Sequence, residues 1–98
     1  MTSVAPPSVT VILPTFNRAH LIAESINSLL AQTWPIEEII VVDDSSTDHT
    51  DRVVAAYERQ VRYLEKANDG KLSALNVGLT CASGDLIWIM DDDDIAPA

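Results

Sequence analysis

The chain has 98 residues, 47% of them hydrophobic, and carries 15 acidic against 6 basic side chains for a formal charge of −9. That length holds one small domain with enough apolar residues for a core. The charge excludes a nucleic-acid backbone as the expected partner, because such contacts are made by clustered Lys and Arg. An anionic ligand would have to be held by a metal ion or by backbone N–H groups. The single Cys81 excludes an internal disulfide and points to a reducing, cytoplasmic setting. No apolar run approaches the length of a membrane helix, and the first residues lack the basic and apolar regions of a signal peptide.

Residues 1–8 read as a flexible leader, with Pro6-Pro7 blocking regular structure, and residues 9–98 as the domain. Val9-Thr10-Val11-Ile12-Leu13 is a β-branched run, a buried strand that ends at Pro14. Asn17 is placed to cap the helix that follows, whose apolar face carries Ile22, Ile26, Leu29 and Leu30. Trp34-Pro35 breaks that pattern. Ile39-Ile40-Val41-Val42 is apolar throughout, as expected of a strand covered on both faces. The polar run from Asp43 to Asp48 leads into a second helix marked by Val53, Val54 and Tyr57. Val61-Arg62-Tyr63-Leu64 is a third strand, and the loop Lys66-Ala67-Asn68-Asp69-Gly70 opens a third helix with Leu72, Leu75, Leu79 and Ala82 on one side. Gly84 follows at a C-cap position, and residues 86–90 form the fourth strand with Trp88 in the core.

The order β-α-β-α-β-α-β predicts an α/β domain: a Rossmann-like parallel sheet of about four strands with helices on both faces. Ligands of such sheets bind outside the carboxyl ends of the strands, where strand order reverses. Polar sequence collects at those ends: Thr15-Phe16-Asn17, Asp43-Asp44, Asn68-Asp69-Gly70-Lys71, and four consecutive aspartates, Asp91 to Asp94. Two like charges about 5 Å apart repel by roughly 0.8 kcal/mol even in bulk water. Four carboxylates behind a buried strand therefore suggest a bound cation. Mg²⁺ binds typically through one or two carboxylates and a substrate's phosphates, so the run reads as a metal–phosphate site. No G-x-G-x-x-G or Walker A loop is present, which disfavours dinucleotide and P-loop folds. Asp48 reads as a helix cap rather than a ligand, and His20 and His49 as surface residues; Cys81 reads as a small buried residue.

The motifs Pro14-Thr15-Phe16-Asn17-Arg18, Val41-Val42-Asp43-Asp44-Ser45-Ser46-Thr47-Asp48, Asn68-x-Gly70 with Ala74-x-Asn76-x-Gly78, and Gly84-Asp85-Leu86-Ile87 before the aspartates resemble glycosyltransferase family 2 in the same order. The likeness runs from about Ser8 to Pro97. It implies the N-terminal, nucleotide-sugar-binding portion of a GT-A fold. Pro14, Thr15 and Phe16 would line the nucleotide pocket, with the Phe16 ring near the base. Asp44 would accept a hydrogen bond from the base, uracil favoured, with Asp43 in support. Asn68, Gly70 and Lys71 would lie near the base or diphosphate. Asp91 and Asp93 would form the D-x-D metal element for Mn²⁺ or Mg²⁺, with Asp91 and Asp92 also near the donor; the register within the run stays open between neighbours.

The partners implied are a nucleoside-diphosphate sugar, favoured as a UDP-sugar, and a saccharide or lipid acceptor. The mechanism implied is inverting, with the catalytic base beyond residue 98, so the 98-residue chain alone is expected not to turn over. Two other readings are a non-catalytic metal- or nucleotide-binding module and a receiver-like signalling domain. The latter needs an Asp after its third strand, where this chain offers Tyr63-Leu64-Glu65-Lys66. An exposed half-domain edge would favour self-association.

Overall fold

Uninterrupted runs of Val and Ile bury both faces of a strand, which suits a parallel sheet between two helical layers. The computed structural model describes residues 8–32, 36–67 and 71–90, with residues 71 and 72 described by backbone alone. It shows β1 (Val9–Thr15), α1 (Ala19–Leu30), β2 (Ile36–Asp43), α2 (Thr50–Ala55), β3 (Val61–Glu65), α3 (Lys71–Cys81) and β4 (Leu86–Ile89). The four strands form one sheet in the order β3-β2-β1-β4, every neighbouring pair parallel. Strand order reverses between β1 and β4, so the crevice of this sheet opens where those two strands end.

Strand alternation sorts the core into two layers. Val9, Val11 and Leu13 of β1, with Ile39, Val41 and Val61, pack against Ile22, Ile26 and Leu29 of α1 and Val54 of α2. Ile12, Ile40 and Val42 face the other way, onto Ala74, Leu75 and Val77 of α3. Helices therefore cover both faces, as the sequence predicts. Each fully buried Leu or Ile is worth about 1.5–3 kcal/mol of apolar transfer, and Ile12, Leu13, Ile22, Ile26 and Ile40 are all fully buried. Gly78 lets α3 approach β1 closely, because a Cβ there would lie 2.6 Å from Ile12 Cγ2.

Several expectations are corrected. β1 does not stop before Pro14 but runs through it to Thr15, with Pro14 paired to Val42. Ile12 turns its carbonyl to Met90 N–H, so Pro14, two residues on, faces the same side beyond the paired length of β4, where its missing N–H breaks no ladder bond. Tyr57 follows α2 in a turn. Leu30 and Leu79 lie on the solvent side of their helices. Gly84 stands three residues past α3 and is no C-cap; its N–H donates to Thr10 Oγ1 at 2.8 Å. Trp88 is half-buried, and Ile87 and Ile89 are exposed, because among the described residues β4 is an edge strand whose faces the helices leave largely uncovered. Ser8, assigned to the leader, is tied down: its carbonyl accepts from Leu86 N–H at 2.9 Å and its hydroxyl from Asp85 N–H at 3.0 Å. Trp34-Pro35 lies outside the described residues.

Candidate functional site

The carboxyl ends of β1, β2 and β3 are joined by hydrogen bonds between their loops. Asn17 follows β1 with φ 53°, in the left-handed region that Asn tolerates better than most residues. Its N–H donates to Ser46 Oγ at 2.8 Å, and its Oδ1 accepts from Thr47 N–H at 2.7 Å and Asp48 N–H at 3.3 Å. Asn17 is therefore a clasp between two loops and not the cap of α1. That helix begins after Arg18, which makes no side-chain cap bond. Its Ala19 N–H instead donates to Asp48 Oδ2 at 3.1 Å, while Asp48 Oδ1 accepts from Thr50 N–H at 3.0 Å and from the Thr50 hydroxyl. Asp48 thus serves the first turns of α1 and α2 together. The Thr50 hydroxyl bond foremost, together with the Ala19 and Thr50 N–H bonds, outweighs the burial penalty and holds its carboxyl below the usual value of 3.8.

Asp43 and Asp44 are adjacent in sequence and differ in surroundings. Asp43 is buried. Its Oδ1 accepts from Ser46 N–H at 2.9 Å and Ser46 Oγ at 2.6 Å, and its Oδ2 accepts from the Tyr63 phenol. Burial first, then that hydrogen bond and the Asp43 charge, push the Tyr63 phenol far above its ordinary 10.0. Asp44, one step further out, donates its N–H to the Thr15 carbonyl at 2.9 Å. Its Oδ1 accepts from the Lys66 ammonium at 2.7 Å, and both side chains are about nine-tenths buried. Lys66 is fixed in turn: its N–H reaches the Asp43 carbonyl at 2.9 Å, its carbonyl takes the Ser45 hydroxyl at 2.5 Å, and its ammonium also reaches the Ala67 carbonyl. Ser45 adopts φ 62° to make this turn.

The structure thus brings Pro14, Thr15, Asp43 and Asp44 together, buried at the rim, and leaves Phe16 beside them at 42% exposure. Lys71 begins α3. Asn68, Gly70, Asp91, Asp92, Asp93 and Asp94 lie outside the described residues. The last described residue, Met90, donates its N–H to the Ile12 carbonyl at 3.1 Å, so Asp91 follows a residue anchored at the crevice between β1 and β4. Among the described residues no group of His, Cys, Asp and Glu side chains is arranged to hold a metal, and no helix is long and apolar enough to cross a membrane.

Sequence reasoning missed Tyr63 and Lys66. A signal existed for each: Tyr63 alternates onto the same sheet face as Asp43, and Lys66 is the first residue after β3, level with the paired aspartates.

Residues 10–98 match the profile described as Glycosyl transferase family 2. An uncharacterized glycosyltransferase of Rickettsia conorii is 44% identical over 92 residues, covering 91% of this chain and 15% of that protein. Among solved structures, a mannosyltransferase from Pyrobaculum calidifontis in complex with GDP-Man and Mn²⁺ superposes with TM-score 0.89 at 36% identity, covering 96% of this chain and 30% of that one. S. aureus TarS 1–349 in complex with UDP-GlcNAc superposes with TM-score 0.79 at 34% identity, covering 90% and 27% respectively. The chain thus spans less than a third of the length of each of these relatives. With the parallel β3-β2-β1-β4 sheet, these matches identify the chain as a member of glycosyl transferase family 2, folded as part of a GT-A domain.

Proposed function

We propose that this chain is the donor-binding portion of a glycosyltransferase that passes a sugar from a nucleoside-diphosphate sugar, a UDP-sugar by preference, to a saccharide or lipid hydroxyl with inversion. The observation that carries the reading is the anchored pair of rim elements. Asp44 is fixed at the ends of β1 and β3, and Met90, the residue before the aspartate run, is bonded to the Ile12 carbonyl of β1. Asp44 would accept from the nucleobase, and the rim from Pro14 to Phe16 would flank it. Asp91 and Asp93 would hold Mn²⁺ or Mg²⁺, with Asp92 beside them and Asn68, Gly70 and Lys71 toward the donor. The metal would neutralise charge on the departing nucleoside diphosphate. Relatives with GDP-Man and Mn²⁺ or with UDP-GlcNAc bound support the donor class. The acceptor's base would come from sequence beyond residue 98.

The test is a Mn²⁺ titration followed by UDP, read by tryptophan fluorescence, on the chain and on Asp93→Ala. UDP uptake that requires Mn²⁺ and is lost in the variant is the expected result. Unchanged Mn²⁺ and UDP uptake by Asp93→Ala would overturn the assignment.

A further inference from the structure

We propose that Asn17 is a positioning residue for the nucleoside end of the donor, acting through Phe16. The inference rests on the donor-binding reading above, in which the rim from Pro14 to Phe16 flanks the base. The ladder between β1 and β2 ends at the pair Thr15 and Asp43, and the Asp44 N–H bond to the Thr15 carbonyl closes it. Phe16 is the first residue beyond that ladder and is 42% exposed. Asn17 follows it at φ 53°, a conformation that persists in a residue other than glycine where surrounding bonds hold it. Those bonds come from the loop after β2. The Asn17 N–H donates to Ser46 Oγ at 2.8 Å, and Asn17 Oδ1 accepts from Thr47 N–H at 2.7 Å and Asp48 N–H at 3.3 Å. The tie is reciprocal, since Asp48 Oδ2 accepts from Ala19 N–H at 3.1 Å.

Strand pairing and the packing of α1 on the sheet already join the two strand–helix units. The clasp acts beyond the ladder. It fixes the direction in which the chain leaves Phe16, and so the place of the ring against the loop that follows Asp44. Ser46 also donates to Asp43 Oδ1 at 2.6 Å, so the clasp ties the Phe16 turn to the carboxylate that Tyr63 braces. Bases stack on aromatic side chains, and an aromatic ring carried on a restrained backbone loses little further freedom when a base arrives. Asn17 therefore prepares the ring for the nucleoside without touching it.

The experiment is a double-mutant cycle on UDP binding with Mn²⁺, read by calorimetry well below the melting midpoint of each chain. The chains are the wild type, Phe16→Ala, Asn17→Gly and the double variant Phe16→Ala/Asn17→Gly. Asn17→Gly keeps the left-handed backbone and removes the accepting oxygen. Should it not fold, Asn17→Ser takes its place, with a hydroxyl too short to serve both N–H groups. If release of the clasp leaves the competent arrangement in about one-tenth of the molecules, UDP binds about tenfold more weakly. We expect that loss in Asn17→Gly, a comparable loss in Phe16→Ala, and a double variant within about twofold of Phe16→Ala, because the two residues act as one. Asn17→Asp keeps an accepting oxygen and tolerates the same backbone, so it should restore most of the binding. A loss of stability alone would leave UDP affinity in place, and UDP affinity within about twofold of wild type in Asn17→Gly or in Phe16→Ala overturns the proposal. So do losses that multiply in the double variant, or an Asn17→Asp chain as weak as Asn17→Gly. A wild type that takes up no UDP with Mn²⁺ overturns the donor-binding reading itself.

Discussion

Two polar networks bracket β2, and they hold their carboxylates in different ways. Toward the start of the strand, Glu38 Oε1 accepts from Thr10 Oγ1 at 2.9 Å, Ser83 N–H at 2.6 Å and Ser83 Oγ at 2.9 Å, and Thr10 Oγ1 accepts from Gly84 N–H. Burial disfavours the Glu38 charge, but the Ser83 and Thr10 bonds and the nearby Arg62 outweigh it and hold the carboxyl below its usual 4.5. At the end of the strand, Asp43 is as heavily bonded, yet the partners of Asp43 and Asp44 are spread over the end of β1, the loop after β2, β3 and the residue after it: Thr15, Ser46, Tyr63 and Lys66. The inner network welds the entry of β4 to β1 and β2. The outer one arranges loops around a crevice.

The inner network is the place to break the comparison hardest. A Cβ on Gly84 would lie 2.5 Å from Thr10 Oγ1 and 2.7 Å from Thr10 N, and the backbone of a central strand cannot yield. Gly84→Ala should therefore cost about 1–3 kcal/mol, as overpacking does, and lower the melting temperature by several degrees. A denaturant midpoint within error of wild type would show that the entry to β4 is not locked as described.

Tyr63→Phe probes the outer network with a smaller effect. It removes the donor to Asp43 Oδ2 and leaves a buried carboxylate oxygen without that bond, for an expected loss of about 1–2 kcal/mol. Because Asp43 braces Ser46 and, through it, Asn17, UDP affinity should fall alongside stability. The matching change in the inner network, Glu38→Gln, should lower stability by about 1 kcal/mol and leave UDP affinity untouched. A loss of UDP binding in Glu38→Gln would erase the distinction between the two networks.

Titration sharpens the same contrast at lower amplitude. The folded-state carboxyls of Glu38 and Asp48 are depressed below 4.5 and 3.8. Below those values the unfolded chain takes up protons first, so their contribution is present at neutral pH and declines as pH falls through about 4.5 and then 3.8. The Tyr63 phenol is raised, so its contribution is complete below 10.0 and is lost as pH climbs above it. Urea midpoints across pH should fall on both sides. The alkaline limb should flatten in Tyr63→Phe and the acid limb in Glu38→Gln. Limbs that do not respond to these substitutions would show that other groups govern them.

How much of this was legible in sequence follows from the range over which each feature is decided. β1 and β2 announce themselves through β-branched runs, and their placement in a two-faced sheet follows from the absence of alternation. The rim was legible because polar residues after apolar runs mark strand ends. The clasp was not. Asn17 reads as a cap because it precedes a helix, and only the loop 30 residues away shows that its Oδ1 is spent on Thr47 and Asp48. Leu30 and Leu79 fit a helical apolar face by spacing, but the width of the face each neighbour covers is a tertiary quantity. Trp88 and its neighbours look like a buried strand because their sequence is apolar, whereas the sheet order alone makes β4 an edge.

The two edges of the sheet extend the contrast and carry the smallest effect on stability. β3 is guarded by exposed Arg62 and Glu65, the kind of charge that discourages edge-to-edge pairing. β4 has none: Leu86, Ile87 and Ile89 are 50%, 40% and 46% exposed, and an apolar cavity of about 360 Å³ lies between Val9, Ile36, Leu86, Ile87 and Trp88. A second copy of the chain is the proposed occupant of this edge in solution. Ile87→Lys places a charge on it, and since the side chain is already exposed, folding stability should move by no more than about 0.5 kcal/mol. Sedimentation should show concentration-dependent association for the wild type and a monomer for the variant, whereas Arg62→Ala on the opposite edge should leave the wild-type distribution in place. A wild type that stays monomeric across the accessible concentration range removes β4 as a self-association surface, and a variant that still associates moves the contact elsewhere.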